Sequence, residues 1–200
     1  LIMDPEVKTI ESLIFEDNEL RNLIDINFDP WVGTNFQGYV YLDPKQKGNF
    51  GEIFTTKYML KKGYKVDKTK KNNGPYDRYI SNSNILMEKY DMIPTEIKFS
   101  LAQKNPLNKM IKKNTFIINH IGRNKDWKRL IFICINGIEE KDWVIKWFSK
   151  VDFEKYLNSN NKLFKHQQGG SETGNDDWMC SGSNAKKLIN EPWVYDITAW

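Results

Sequence analysis

Apolar positions Val7, Ile10, Leu13 and Ile14 follow a potential Asp4 cap at helical spacing. They predict a helix over Asp4 to Phe15, with a second short one around Asn18 to Ile26. A turn-rich stretch from Asp29 to Asn49, punctuated by Pro30, Gly33, Pro44 and Gly48, leads to Gly51-Glu52-Ile53-Phe54. That tetrapeptide opens an amphipathic run to Lys61-Lys62-Gly63, where Gly63 is a natural helix stop. Tyr64-Lys65-Val66 reads as a short strand, and a lysine-rich polar segment then reaches Gly74-Pro75-Tyr76-Asp77. Beyond it the pattern predicts strands over Arg78 to Ser81, Ile85 to Glu88 and Pro94 to Ser100, with a turn at Asn82-Ser83-Asn84.

Lys104 to Lys113 reads as a helix or loop broken near Pro106, and further strands are expected at Thr115 to Asn119 and Arg129 to Ile135, joined by Gly122 to Lys128. A helix, three strands, a crossover and more strand suit a mixed α/β (α+β) fold with a central mixed sheet flanked by helices. His166 to Asn184 is rich in Gly, Ser, Asn and Gln around Trp178. Two readings stay open for it, a connector without fixed structure and a polar loop that touches a ligand. The tryptophans, Trp127, Trp143, Trp147, Trp178, Trp193 and Trp200 among them, are expected as core anchors rather than base-stacking surfaces.

With 200 residues, 40% of them hydrophobic, the chain can bury a core as one domain without covalent staples. Cys134 and Cys180 form no CxxC and point to neither a disulfide framework nor a zinc site, which suits a reducing compartment. The longest apolar run, Leu130 to Ile135, falls far short of the roughly 20 residues a bilayer helix needs. Asp4 and Glu6 stand where a signal peptide wants positive charge, so the expectation is a cytoplasmic protein with no membrane partner. A net charge of +4 permits an anionic partner without requiring one. Lysine dominates the basic residues; arginine stands only at Arg21, Arg78, Arg123 and Arg129, which makes each guanidinium worth individual attention.

Within Thr95-Glu96-Ile97-Lys98-Phe99, strand alternation places Glu96 and Lys98 on one face and sends Ile97 and Phe99 into the core. Asp77 lies upstream at a distance that suits a hairpin excursion and return beside Glu96. Two converging carboxylates suit a divalent cation, because Mg²⁺ prefers one or two such oxygens with water and phosphate completing its shell. An acid two residues before a lysine also occurs at Glu6/Lys8, Asp43/Lys45, Asp126/Lys128 and Glu139/Lys141; only Glu96/Lys98 has the strand context and the upstream aspartate. No GxSxG, P-loop or GxGxxG is present. With only His120 and His166 available, an HNH-type site would rest on Asn119-His120 without a matching second histidine.

In Gly51-Glu52, Pro75-Tyr76-Asp77-Arg78, Glu96-Ile97-Lys98, Asn119-His120-Ile121 and Trp127-Lys128-Arg129-Leu130-Ile131, the chain resembles the PD-(D/E)xK nuclease superfamily, and within it the type II restriction endonucleases. Tyr76 between Pro75 and Asp77 is a one-residue departure from that pattern. The resemblance implies a restriction-endonuclease-like core over about residues 36–137 within a single nuclease domain of residues 1–200. Residues 138–200 would then supply DNA-recognition or dimer elements. It further implies that Asp77 and Glu96 hold Mg²⁺, with Mn²⁺ able to substitute, that Lys98 holds or polarises the attacking water, and that Glu52 is an auxiliary carboxylate. The implied partners are double-stranded DNA, a second copy of the chain in a homodimer and a companion DNA methyltransferase not visible here.

Phosphate contacts are expected from Lys68, Lys70, Lys71, Lys112, Lys113, Arg123 and Lys125, and base reading from His166, Gln167, Gln168, Ser171 and Asn175, whose side chains donate and accept in a groove. The expected activity is Mg²⁺-dependent cleavage of double-stranded DNA at a short specific sequence. The alternatives are a repair, nicking or junction-resolving nuclease of the same superfamily, and a non-catalytic nucleic-acid-binding module.

Overall fold

A computed structural model describes residues 16–18, 29, 31–69, 76–101, 104–105, 110–111, 116–135, 144–167 and 177–200. The predicted helices over Asp4 to Phe15 and Asn18 to Ile26 lie almost wholly outside those residues. The chain divides into two compact units, one of residues 1–41 with 103–112 and one of residues 42–102 with 113–200.

In the first unit the buried Asp29 carboxylate accepts hydrogen bonds from the Trp31 amide at 2.9 Å and the Gly38 amide at 2.7 Å. These close the segment that ends in a 3₁₀ turn at Tyr39–Tyr41. Strands β4 (Lys104–Asn105) and β5 (Met110–Ile111) pair antiparallel, where the sequence had suggested a helix or loop.

The second unit opens with helix α1 (Pro44–Lys61). Its start is set by a capping box: the Asp43 carboxylate accepts from the Gln46 amide at 2.7 Å, and the Gln46 side chain accepts from the Asp43 amide at 2.9 Å. Pro44, read in the sequence as a turn residue, occupies the first helical turn, where its missing N–H costs nothing. Gly51 therefore sits inside the helix and does not open it. Gly63 ends the run with φ at 86°, a left-handed conformation, as expected.

The strands that follow are β1 (Tyr64–Lys68), β2 (Arg78–Asn84), β3 (Met92–Leu101), β7 (Arg129–Ile135), β8 (Val144–Ser149) and β11 (Tyr195–Asp196). They form a six-stranded sheet in the order β1-β2-β3-β7-β8-β11, in which β3 and β7 are parallel and the other neighbours antiparallel. This is the mixed α+β architecture anticipated from the pattern. Two local readings are corrected. Asn82-Ser83-Asn84 belongs to β2, and Ile85 to Glu88 forms the turn instead of a strand. The Asn84 side chain accepts from the Leu86 amide at 3.0 Å, a local bond that bends the chain before a strand can continue. Ile85, Leu86 and Met87 are left exposed at the hairpin tip.

Strand β6 (Ile117–Gly122) continues three residues past the predicted Asn119 end. It joins β10 (Asp177–Ser181) and β9 (Lys165–His166) in a three-stranded sheet in the order β6-β10-β9. The polar segment from His166 is thus strand at both ends of its undescribed middle, and its last residues enter helix α3 (Ser183–Leu188). Helix α2 (Lys150–Asn160) is capped by the Ser149 hydroxyl, which accepts from the Asp152 amide at 3.0 Å.

Register assigns the two faces of the large sheet. Phe99 packs against Phe50 and Phe54 of α1 at ring separations of 5.3 and 5.7 Å, so Thr95, Ile97 and Phe99 face that helix. Glu96, Lys98 and Ser100 face the other way, level with Leu130, Phe132 and Cys134 of β7. Those three β7 side chains join Phe116, Ile118, Ile121, Trp127, Phe148, Phe153, Phe164 and Cys180 in the main core. Trp127, Trp147 and Trp200 are buried, while Trp178 and Trp193 pack against the core partly exposed. On the α1 face the Arg129 guanidinium lies over the edge-to-face pair of Trp147 and Trp200 rings, at 4.5 and 4.7 Å from their centroids. Cys134 and Cys180 are free and buried, and burial pushes the Cys180 thiol up to about 12.

Gly51 supplies a test of this packing. A Cβ there would lie 2.4 Å from Phe99 Cβ, too close for the helix to keep its distance from β3. Elsewhere in a helix Gly to Ala gains up to about 1 kcal/mol. Here Gly51→Ala is expected to cost about 2 kcal/mol from overpacking, read as a lower denaturation midpoint, and a stabilised variant would overturn the packing.

Candidate active site

Strand β2 leaves its neighbour at Arg78, the last residue paired with β3. Just before it, the Asp77 amide still donates to the Thr95 carbonyl at 3.1 Å. The next ladder position is filled by a side chain: Asp77 Oδ2 accepts from the Ile97 amide at 2.7 Å. The carboxylate is thereby fixed beside Glu96, whose own side chain is only 2% exposed.

Glu96 Oε1 receives two ammonium groups, Lys98 at 2.7 Å and Lys125 at 3.6 Å. Asp77 Oδ1 and Glu96 Oε2 have no hydrogen-bond donor among the described residues. Burial, followed by the neighbouring Glu96 charge, raises the Asp77 carboxyl from 3.8 to about 6, against the opposing pull of Lys98 and the Ile97 amide. Two acids held this close repel one another, and a cation between their free oxygens would relieve the repulsion. Among the described residues no cluster of three or more His, Cys, Asp or Glu is placed to hold a metal. A pair of hard carboxylate oxygens matches the needs of Mg²⁺, which keeps waters and takes phosphate oxygens for the rest of its shell. Asp77 and Glu96 are the residues that fit it.

Glu52 is placed differently. It projects from α1, on the face of the sheet opposite Glu96, and its Oε2 accepts from Arg78 Nη1 at 2.7 Å. Its charge still reaches Asp77 and contributes the smallest of the upward influences on that carboxyl.

Arg78, one of the four arginines and a member of the motif with no role assigned from sequence, is the organising residue on that face. Its buried guanidinium also donates to the Asp77 carbonyl at 2.7 Å and to Thr56 Oγ1 at 3.1 Å. The signal was available: strand alternation sends the residue after Asp77 to the helix face, and a scarce arginine there needs acceptors. Tyr76, the departure from the family pattern, is accommodated by an edge-on contact with Tyr79 at 5.0 Å between ring centroids and a bond between the two hydroxyls.

Of the expected DNA-contacting residues that are described, Lys125 touches this site. Lys68 is exposed at the end of β1, and Arg123 Nη2 donates to Asn158 Oδ1 at 2.9 Å. His166 lies over the Trp178 ring with centroids 3.8 Å apart. Gln167 instead clamps His120: its Oε1 accepts from the His120 amide at 2.8 Å, and its Nε2 lies 2.8 Å from His120 Nε2. Asp177 Oδ2 stands 3.5 Å from His120 Nδ1. These bonds hold His120 at φ 52°, a left-handed conformation unusual for a side-chain-bearing residue. Lys70, Lys71, Pro75, Lys112, Lys113, Trp143, Gln168, Ser171 and Asn175 lie outside the described residues.

No family model matches the chain, and no curated protein matches it. Among solved structures the chain is similar to a bacterial homing endonuclease, with 16% identity, a TM-score of 0.40, and coverage of 57% of this chain and 70% of that one. A likeness of that size assigns neither family nor activity.

The raised Asp77 carboxyl has a consequence for stability. The folded state holds the proton up to about 6 and the unfolded chain only to 3.8. Stability contributed by this group is therefore complete at low pH and declines as pH rises through that interval. Asp77→Asn keeps an acceptor for the Ile97 amide and removes the charge. It is expected to be more stable than the parent by about 3 kcal/mol at neutral pH, the advantage vanishing below about pH 4. Denaturant midpoints across that range measure it; a pH-independent difference would refute the assignment.

Proposed function

We propose that this chain is a metal-dependent endodeoxyribonuclease, and that the Asp77, Glu96 and Lys98 cluster hydrolyses a phosphodiester bond. The single observation that carries the reading is that the Asp77 carboxylate is pinned to the Ile97 amide within reach of the Glu96 charge, each acid keeping one oxygen without a donor among the described residues, with Lys98 Nζ 2.7 Å from Glu96. A bound Mg²⁺ would supply the Lewis acidity that phosphodiester cleavage requires. The chain's own groups would do the rest. Asp77 and Glu96 present hard oxygens from a rigid strand pair. The Lys98 ammonium donates to Glu96 at 2.7 Å, and its remaining N–H bonds can orient a water and counter charge developing on the phosphate.

The finer reading is a type II restriction endonuclease, acting as a homodimer on a short sequence in double-stranded DNA; it rests on the family resemblance of the motif residues. Supercoiled plasmid incubated with Mg²⁺ or with EDTA separates the possibilities. Discrete, chelator-sensitive fragments are expected. A nicked circle would favour a nicking or repair enzyme, and intact DNA retarded on a gel would favour a non-catalytic binding module. Alanine at Asp77, Glu96 or Lys98 is expected to reduce Mg²⁺-dependent cleavage by roughly a thousandfold or more with the fold retained. Undiminished cleavage by Glu96→Ala would defeat the proposal.

A further inference from the structure

The loop between β6 and β7 is fastened at both ends. The buried Trp127 indole donates to the Gly122 carbonyl at 2.8 Å, and the Lys128 amide donates to the Pro94 carbonyl, also at 2.8 Å, tying the loop to the start of β3. Lys150 donates to the Lys125 carbonyl. The backbone of Lys125 is therefore fixed relative to the strand that carries Glu96. Its side chain runs back over Gly122, where a Cβ would meet Lys125 Cγ and Cδ at 2.8 Å. Gly122 has no positive φ among the glycines that adopt one, so its missing side chain serves space and not conformation.

The charges explain what that space is for. Asp77 and Glu96, when ionised, carry two negative charges, and Lys98 with Lys125 carry two positive ones. The pocket is thus formally neutral and does not repel an arriving phosphate. A divalent cation on the two carboxylates would leave two positive charges in excess. That equals the negative charge of a phosphodiester under attack by hydroxide, so two ammonium groups are matched to the reaction where one would fall short. The two lysines are not equivalent. Lys98 is close to Glu96 and largely buried, whereas Lys125 stands off at 3.6 Å with its side chain 42% exposed.

We propose that Lys125 is a second substrate-binding ammonium of this site, resting on Glu96 without ligand and passing to a DNA phosphate when cation and DNA enter, and that Gly122 is kept bare to give it room. The proposal rests on the nuclease reading above. Lys125→Met removes the charge and keeps the stem. It is expected to leave the thermal midpoint unchanged and to lower kcat/KM by about tenfold to a hundredfold. The slope of DNA affinity against salt, measured with Mg²⁺ and a DNA that cannot be hydrolysed, should fall by about one counterion. Lys125→Arg, which keeps the charge, should recover much of both. Gly122→Ala, which displaces the stem with Lys125 present, should reproduce part of the loss.

A Lys125→Met protein that cleaves and binds like the parent would overturn the role of Lys125 while leaving the nuclease reading intact. A parent protein that neither cleaves nor binds DNA would overturn both. If Lys125→Met alone fails to fold, the Arg and Ala variants decide: loss in Lys125→Arg equal to a complete loss of the site, or no loss in Gly122→Ala, contradicts the proposal.

Discussion

The candidate site depends on one hydrogen bond, from the Ile97 amide to the Asp77 carboxylate at 2.7 Å. At that point the main chain of β2 has turned away from β3, and a buried amide would otherwise lose its partner at a cost of about 1–3 kcal/mol. The side chain takes the place of the missing carbonyl. Structural need and chemical opportunity coincide there, because the same bond that completes the ladder pins an acid next to Glu96. The remaining oxygen is left to face whatever enters.

Two consecutive residues divide the work across the sheet. Asp77 serves the face that carries Glu96 and Lys98; Arg78 serves the face covered by α1, where it gathers Glu52, Thr56 and the Asp77 carbonyl. The guanidinium fixes the backbone from which the carboxylate hangs. A lysine could not bridge these acceptors in the same way, since it lacks the planar fork. Further along this face, Thr95 stands between Arg78 and Arg129 in register. Arg129 there is held by aromatic rings and not by acids. One sheet face thus carries two cations stabilised by different physics.

Period-two alternation made Glu96 and Lys98 legible as neighbours, and the uninterrupted apolar run from Leu130 to Ile135 identified β7, which is buried on both faces. What alternation could not give was pairing. It did not reveal that the hairpin would turn three residues later, at Ile85 instead of Asn82, nor that Pro44 began a helix within the turn-rich stretch. The resemblance implies an auxiliary role for Glu52 and says nothing of what holds it. Its real partner, Arg78, followed from the opposite orientation of adjacent strand residues. Lys125 carried no signal beyond its charge, because its nearness to Glu96 arises from a loop anchored by Trp127 and Pro94, contacts remote in the chain.

The two cysteines offer a different kind of readout. Both thiols lie in the core that the large sheet shares with β6 and β10, and burial holds them in the protonated, unreactive form. An alkylating reagent can reach them only when the core around them opens, so the rate of their modification is a built-in clock for that opening.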